Sequence, residues 1–192
     1  MEFSDVIKNR YSCKKFSSEQ IGKDKLDAIL EAGRVAPTAK NLQEQHIYVV
    51  QSESALETID KLTRCQETSS YAPYPRALET IDKLTLCRYN APTVLIVAFN
   101  KNNVFTYPGE KRNSGIEEAT IVATHLMLAA YNEGVDSCWI NFFNPDELAK
   151  ALNLPEDEEI LMLLDLGVAD KTTTPLPNHN SRKALTETVS FI

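Results

Sequence analysis

The stretch Ala91-Pro92-Thr93-Val94-Leu95-Ile96-Val97-Ala98-Phe99-Asn100 restricts the fold more than any other part of the chain. It has the length and β-branched content of a strand, and it is apolar at odd and even positions alike. Strand side chains alternate between two faces, so this strand needs cover on both and must be buried. Residues 158–168 (EEILMLLDLGV) predict a second buried strand. Between them, residues 115–133 (GIEEATIVATHLMLAAYNE) are apolar around most of a helical circumference, which predicts a central, buried helix. Gly134 ends it, as glycine commonly does.

The remaining elements are shorter. Ser4 is placed to cap a first helix with Phe3, Val6 and Ile7 on one face. Residues 24–35 repeat apolar groups at Leu26, Ile29, Leu30 and Val35, a second helix stopped by Pro37. A polar loop, APTAKNLQEQ, leads to a strand over His46–Val50. Ser137–Phe143 reads as a short strand, and Asn144-Pro145-Asp146-Glu147 caps a helix reaching about Leu152. Strands and helices are interspersed without a regular βαβ rhythm, and 192 residues suit one domain. There is no G-x-G-x-x-G or P-loop pattern.

Composition removes several function classes. A net charge of −7 and a pI near 5.1 argue against binding nucleic acid or an anionic membrane surface. No apolar run approaches the roughly 20 residues of a membrane span, and the first residues lack a signal-peptide core. Cys13, Cys65, Cys87 and Cys138 form no C-x-x-C pair, so no metal site is expected. The expectation is a cytoplasmic protein with free thiols.

Two copies of one segment interrupt this plan. Ala55–Cys65 and Ala77–Cys87 differ at a single position, Arg64 against Leu86. Each copy has helical spacing, and the spacer QETSSYAPYPR is expected to be a mobile loop. Two copies are too few for a solenoid, so the region is a local duplication.

Against the acidic background, Arg10, Ser12 and Lys14 alternate in Asn9-Arg10-Tyr11-Ser12-Cys13-Lys14-Lys15-Phe16. In an extended segment they project to one side and suit a phosphate. A distant basic pair, Arg182-Lys183, could close over the same anion; the alternative is a solvated basic turn. In Pro37-Thr38-Ala39-Lys40-Asn41-Leu42-Gln43 the amides of Asn41 and Gln43 can donate and accept together, as a heteroaromatic ring edge requires. The alternative there is Asx-turn chemistry.

Taken together, Arg10-x-Ser12-x-Lys14-x-Phe16, then Ala32-Gly33-x-x-Ala36-Pro37-Thr38-x-x-Asn41-x-Gln43, Ala91-Pro92, Leu128-Ala129-Ala130, Gly134, Cys138-Trp139-Ile140 and Arg182-Lys183-x-Leu185 resemble the nitroreductase family of FMN-dependent oxidoreductases. The resemblance covers nearly the whole chain apart from the duplicated insert near 55–87. It implies one α+β domain over residues 1–192, with a mainly antiparallel sheet flanked by helices, in an intertwined homodimer with FMN at the interface. It implies that Arg10, Tyr11, Ser12 and Lys14 meet the phosphate and ribityl chain, joined by Arg182 and Lys183. Pro37, Thr38, Ala39, Asn41 and Gln43 would approach from the partner subunit, and Ile140 and Asn141 would face flavin N5. NAD(P)H would deliver hydride and leave, and a nitroaromatic or quinone would then be reduced in the same place, with no protein acid or base. Alternatives are an FMN sensor or carrier without turnover, a flavin enzyme of this fold with other chemistry such as dehalogenation or flavin destruction, and a plain phosphate-binding module.

The chain departs from the family pattern at Tyr11, where a second arginine is common, at Glu44, where proline is usual, and at Gln45, where an aromatic is common. His125 reads as a satisfied core histidine, and His46 and His179 as surface or structural groups. Trp139 is either a core aromatic or a flavin neighbour. The cations around Cys13 are expected to lower its pKa, though in a spectator role. Glu117-Glu118 reads as the acidic first turn of a helix.

Overall fold

The computed structural model describes residues 1–63, 88–109 and 111–192. The second copy of the duplicated segment and the spacer lie outside the described residues. The elements in chain order are α1 (Phe3–Asn9), α2 (Lys23–Arg34), a 3-10 turn at Ala39–Asn41, β1 (Gln45–Val50), α3 (Glu53–Leu62), β2 (Thr93–Asn100), α4 (Gly115–Asn132), β3 (Asp136–Ile140), α5 (Pro145–Ala151), β4 (Glu158–Gly167) and α6 (Leu185–Thr188).

The four strands form one sheet in the order β1-β2-β4-β3, with every pairing antiparallel. The two strands read as apolar on both faces, β2 and β4, are the central pair. Val94 through Ala98 are fully buried. One face of the sheet, with Leu95, Val97, Met162, Leu164 and Leu166, packs on Ile29 of α2 and on Ala119, Val122 and Leu126 of α4. The other, with Val94, Ile96, Ile160 and Leu163, packs on Ile59 of α3, Leu148 of α5, and Cys13 and Phe16 of the extended N-terminal segment. Each such aliphatic side chain contributes about 1.5–3 kcal/mol on burial.

Local chemistry explains the boundaries. Asn144 caps α5 as expected, its Oδ1 accepting the N–H groups of Asp146 and Glu147 at 3.1 and 3.3 Å. Gly134 follows α4 with φ +68°, a conformation that costs glycine little. Gly33 lets α2 approach α4: a Cβ there would lie 2.7 Å from Leu126 Cδ2.

Three expectations need correction. Ser4 lies inside α1; the cap position is Glu2, with no side-chain cap bond. The apolar face of α1 is only partly used, because Val6 is buried while Phe3 and Ile7 are 67% and 46% exposed. The chain offers α1 too little neighbouring surface to cover a whole stripe. Likewise α4 is not buried all round, since Ile116 and Ile121 stay exposed. The first copy of the duplicated segment does form a helix, α3, with Ile59 fully buried.

Candidate functional site

The N-terminal basic segment runs along the outer edge of β3. α1 delivers Arg10 as its C-cap residue, and the chain then extends. Ser12 bridges Ser137 in parallel, and Cys13 N–H donates to Ser137 O at 2.9 Å. Phe16 N–H donates to Tyr89 O at 3.0 Å, and Ser17 N–H to Val168 O at 2.8 Å. Lys15 pairs with Asp170 at 3.2 Å. Backbone bonds therefore fix the segment and leave side chains available.

The three alternating residues do not behave alike. Arg10 is half-buried, and its guanidinium makes no ion pair among the described residues. Ser12 is exposed. Lys14 turns inward: its Nζ donates to Cys138 Sγ at 3.1 Å and lies 4.6 Å from the centroid of the Tyr89 ring. Burial works against the charge of Lys14, but Cys138 and Tyr89 hold its pKa above the ordinary value. One-sided projection thus describes Arg10 and Ser12 better than Lys14, because a bend at Lys14 redirects the chain.

Behind Lys14 lies Asp165 of β4, paired in register with Cys138. It is fully buried, and among the described residues neither carboxyl oxygen has a hydrogen-bond partner. Burial pushes its pKa well above the usual carboxylate range, against the pull of Arg88 and Lys14. The Arg88 guanidinium is itself committed to Asp60, at 2.8 and 2.5 Å. Cys13 corrects an expectation. Burial pushes its thiol up to about 11, with Asp136 adding to the rise and the Lys15 carbonyl opposing it. The neighbouring cations do not prevail because the thiol points into the core.

The tail comes back to this segment. His179 meets the Tyr11 ring edge-on, 6.3 Å between centroids. Arg182 donates to the carbonyls of His179 and Ser181 at 2.5 and 2.7 Å. Lys183 is exposed. At the far end of β3, Ile140 is buried, while exposed Asn141 donates to Leu161 O at 3.2 Å and accepts from Trp139 Nε1. Trp139 packs, half-buried, on the α4 side of the core. A hollow of about 300 Å³ lined by Leu62, Asn141, Phe142 and Phe143 opens beside it. A larger one, about 340 Å³, lies at the far edge of the sheet among Tyr48, Gln51 and Leu154, away from every candidate residue.

The second candidate region, 37–44, is built differently. Lys40, Asn41 and Gln43 all have left-handed backbone, with φ of 53°, 57° and 52°. Such residues persist only when their surroundings hold them. Thr38 Oγ1 accepts the Gln43 N–H at 3.1 Å, Glu118 Oε1 accepts the Ala39 N–H at 2.5 Å, and Lys40 Nζ sits 4.4 Å from the Phe105 ring centroid. Pro37, Asn41 and Gln43 face outward, exposed. No hydrogen bond or ion pair joins this loop to residues 10–16 among the described residues.

Sequence reasoning missed the burial of three acids, Glu44, Glu118 and Asp165. Glu117 is an exposed first-turn residue as expected, but Glu118 is buried and clamps the loop. The signal was available, because Glu118 shares the apolar stripe of Val122 and Leu126, and Asp165 likewise interrupts an apolar strand. His125 is satisfied by its own helix, Nδ1 lying 2.9 Å from Ile121 O, but it is half-buried rather than in the core. Among the described residues no group of three or more His, Cys, Asp or Glu could hold a metal, and no helix is long and apolar enough to cross a membrane.

A family model described as the nitroreductase family matches residues 7–168. A nitroreductase family protein of Clostridium difficile 630 superposes with a TM-score of 0.81 at 28% identity, covering 100% of this chain and 98% of that one. A nitroreductase with bound FMN from Bacteroides fragilis superposes with a TM-score of 0.73 at 25% identity, covering 100% and 99%. YodC of Bacillus subtilis, provisionally named an NAD(P)H nitroreductase, is 28% identical over 93% of both chains. A Caenorhabditis elegans homologue of iodotyrosine dehalogenase 1 is 27% identical over 88% of this chain, which spans only 55% of that protein. With a family model matching from Ile7 to Val168, this chain belongs to the nitroreductase family.

Proposed function

We propose that this protein binds FMN and passes electrons from NAD(P)H to a small oxidised acceptor such as a nitroaromatic or a quinone, by a ping-pong route, as a homodimer. The observation that carries the reading is the 37–44 loop. Its backbone is strained and clamped from beneath while its amide-bearing residues face outward. Family membership and the FMN bound by the Bacteroides relative support it.

The residues present suit FMN at both ends. Arg10, half-buried and without an ion pair among the described residues, would take the phosphate with the Ser12 hydroxyl. Lys14, fixed on Cys138, adds positive potential to the same end. Tyr11 meets the tail at His179, which brings Arg182 and Lys183 toward the same segment. Pro37, Thr38, Ala39, Asn41 and Gln43 would border the ring edge, and Ile140 and Asn141 would line its reactive side through backbone groups. Bound FMN supplies the hydride chemistry. The chain binds and orients the rings, and no side chain is assigned as acid or base.

What one chain leaves open supports the homodimer reading. Among the described residues the loop and the basic segment are not bonded to each other. Phe3, Ile7, Ile116 and Ile121 stay exposed, and the tail presents Leu185 and Phe191 at 75% and 98% exposure. A second chain would cover these surfaces and bring the loop of one subunit to the basic segment of the other.

The test is the visible spectrum after FMN addition and desalting, followed by NADH or NADPH without oxygen. A retained flavin spectrum that bleaches establishes the reductive half-reaction. A retained spectrum that does not bleach points to a sensor or carrier. No retained flavin overturns the reading and leaves a phosphate-binding module. A second reading, reductive dehalogenation, rests on the nematode relative, and iodide release from an iodinated tyrosine by the reduced protein would select it.

A further inference from the structure

Glu44 and Glu118 stand on different elements, the loop entering β1 and the first turn of α4, and they meet in the interior. They are 5% and 4% exposed. Glu118 Oε1 accepts the Ala39 N–H, and Glu44 Oε1 accepts the Ser114 hydroxyl at 3.4 Å. The backbone of Glu44 is tied to β2, its carbonyl accepting the Asn100 N–H at 2.9 Å. Each carboxyl group is then left with one oxygen, Oε2, that has no hydrogen-bond partner among the described residues. Ser114 links the two acids: its hydroxyl donates to Glu44 and its carbonyl accepts the Glu118 N–H at 2.8 Å.

Two ionised carboxylates in that position would be like charges with orphaned acceptors, a costly combination in the interior. One proton removes both defects, because a protonated carboxyl is a donor. Among the described residues neither acid makes an ion pair, so no cation there offers the alternative remedy. Glu117 is outside, bonded to Tyr107 Oη at 2.7 Å and paired with Arg112 at 3.4 Å. Lys40 is turned to the Phe105 ring. Burial first, then the Glu118 carboxyl, pushes the Glu44 pKa up to about 7.

We propose that Glu44 carries a proton that it donates to Glu118, and that this shared proton is the latch holding the 37–44 loop on α4. Both are positioning residues: neither needs to touch a ligand, and both act through the Ala39 amide and the left-handed backbone at Lys40, Asn41 and Gln43. Glu44 stands where the family pattern has proline, which can hold a loop by its ring but can share no proton. The link to flavin rests on the reading above; the latch itself does not.

A folded-state pKa raised above the unfolded one gives stability that is fully present below the ordinary glutamate range and lost as pH rises through about 7. The experiment measures thermal unfolding of the full chain between pH 5 and 8, with and without FMN, for wild type, Glu44→Gln and Glu118→Gln. Asp165 adds a slope of the same sign to all three proteins, so the differences carry the answer. Glutamine at 44 supplies a permanent donor, so the variant should gain on wild type by a few degrees between pH 5 and about 7 and hold that gain above it. Parallel wild-type and Glu44→Gln curves overturn the latch. Should Glu44→Gln not fold, Glu118→Gln asks the same question from the other side. Carboxyl ¹³C resonances of glutamate-labelled wild type need no variant, and the absence of any glutamate titrating near pH 7 overturns the proposal. FMN affinity of wild type should fall roughly tenfold from pH 6 to 8 and that of Glu44→Gln should not. If no protein retains FMN at any pH, the flavin reading fails while the unfolding curves still decide the latch.

Discussion

The two candidate regions of this protein solve opposite problems. The 10–16 segment is extended, lies on the rim of the sheet, and is held by its backbone to Ser137, Tyr89 and Asp170. Its candidate groups are long cations, which tolerate imprecise posture because charge acts over several ångströms. The 37–44 loop is compact and contorted, and its candidate groups are amides, which need defined directions. Its backbone is held by the Thr38 hydroxyl and the Glu118 carboxylate. A cationic site needs support only for its backbone; an amide site needs the backbone conformation itself to be held.

The comparison can be broken most sharply at Arg10. Arg10→Ala should weaken FMN binding by about 1.5–3 kcal/mol, the worth of a charge-assisted hydrogen bond, with no large change in unfolding temperature. Titration by flavin fluorescence checks it, and full retained affinity would return Arg10 to a solvated turn. The loop should respond in the other currency. Glu118→Ala strands the Ala39 N–H and the Glu44 carboxyl, so thermal stability should drop by about 1–3 kcal/mol, measured calorimetrically without flavin. Thr38→Ala removes one bond to the Gln43 N–H and should cost about 0.5–1.5 kcal/mol in the same assay.

The sheet offers a control between the two regions. Asp165→Asn keeps the shape of a protonated carboxyl. The Asp165 pKa is raised in the folded state, so its wild-type stability is complete below the usual aspartate range and declines as pH rises. The asparagine variant should therefore gain on wild type toward pH 8, and unfolding midpoints at pH 5 and 8 check this. The smallest effect belongs to exposed Lys183, where Lys183→Ala should change FMN affinity by about 0–1 kcal/mol and less at high salt.

Much of the fold was legible because burial leaves a periodic mark. β2 and β4 were readable as central strands from apolar residues on both faces, and α5 from Asn144-Pro145. α1 was misread at its cap because Ser4 fits the residue type, while a cap is defined by backbone conformation. Trp139 could not be assigned from sequence, since a core ring and a ligand-stacking ring have the same composition. Lys14 was grouped with Arg10 and Ser12 by alternation, and a bend of the chain sends its ammonium to Cys138 instead.

The sequence by itself determined which segments must be inside, where several helices end, and which family the chain resembles, because these depend on residue type at a fixed local spacing. Only the tertiary structure decided that Glu44 meets Glu118, that Asp165 lies behind Lys14, and that the tail returns to Tyr11. Those pairs are separated by tens of residues or more, and nothing in a one-dimensional pattern records them. Their partners are set by the order of strands in the sheet and by the close approach of α2 and α4 at Gly33.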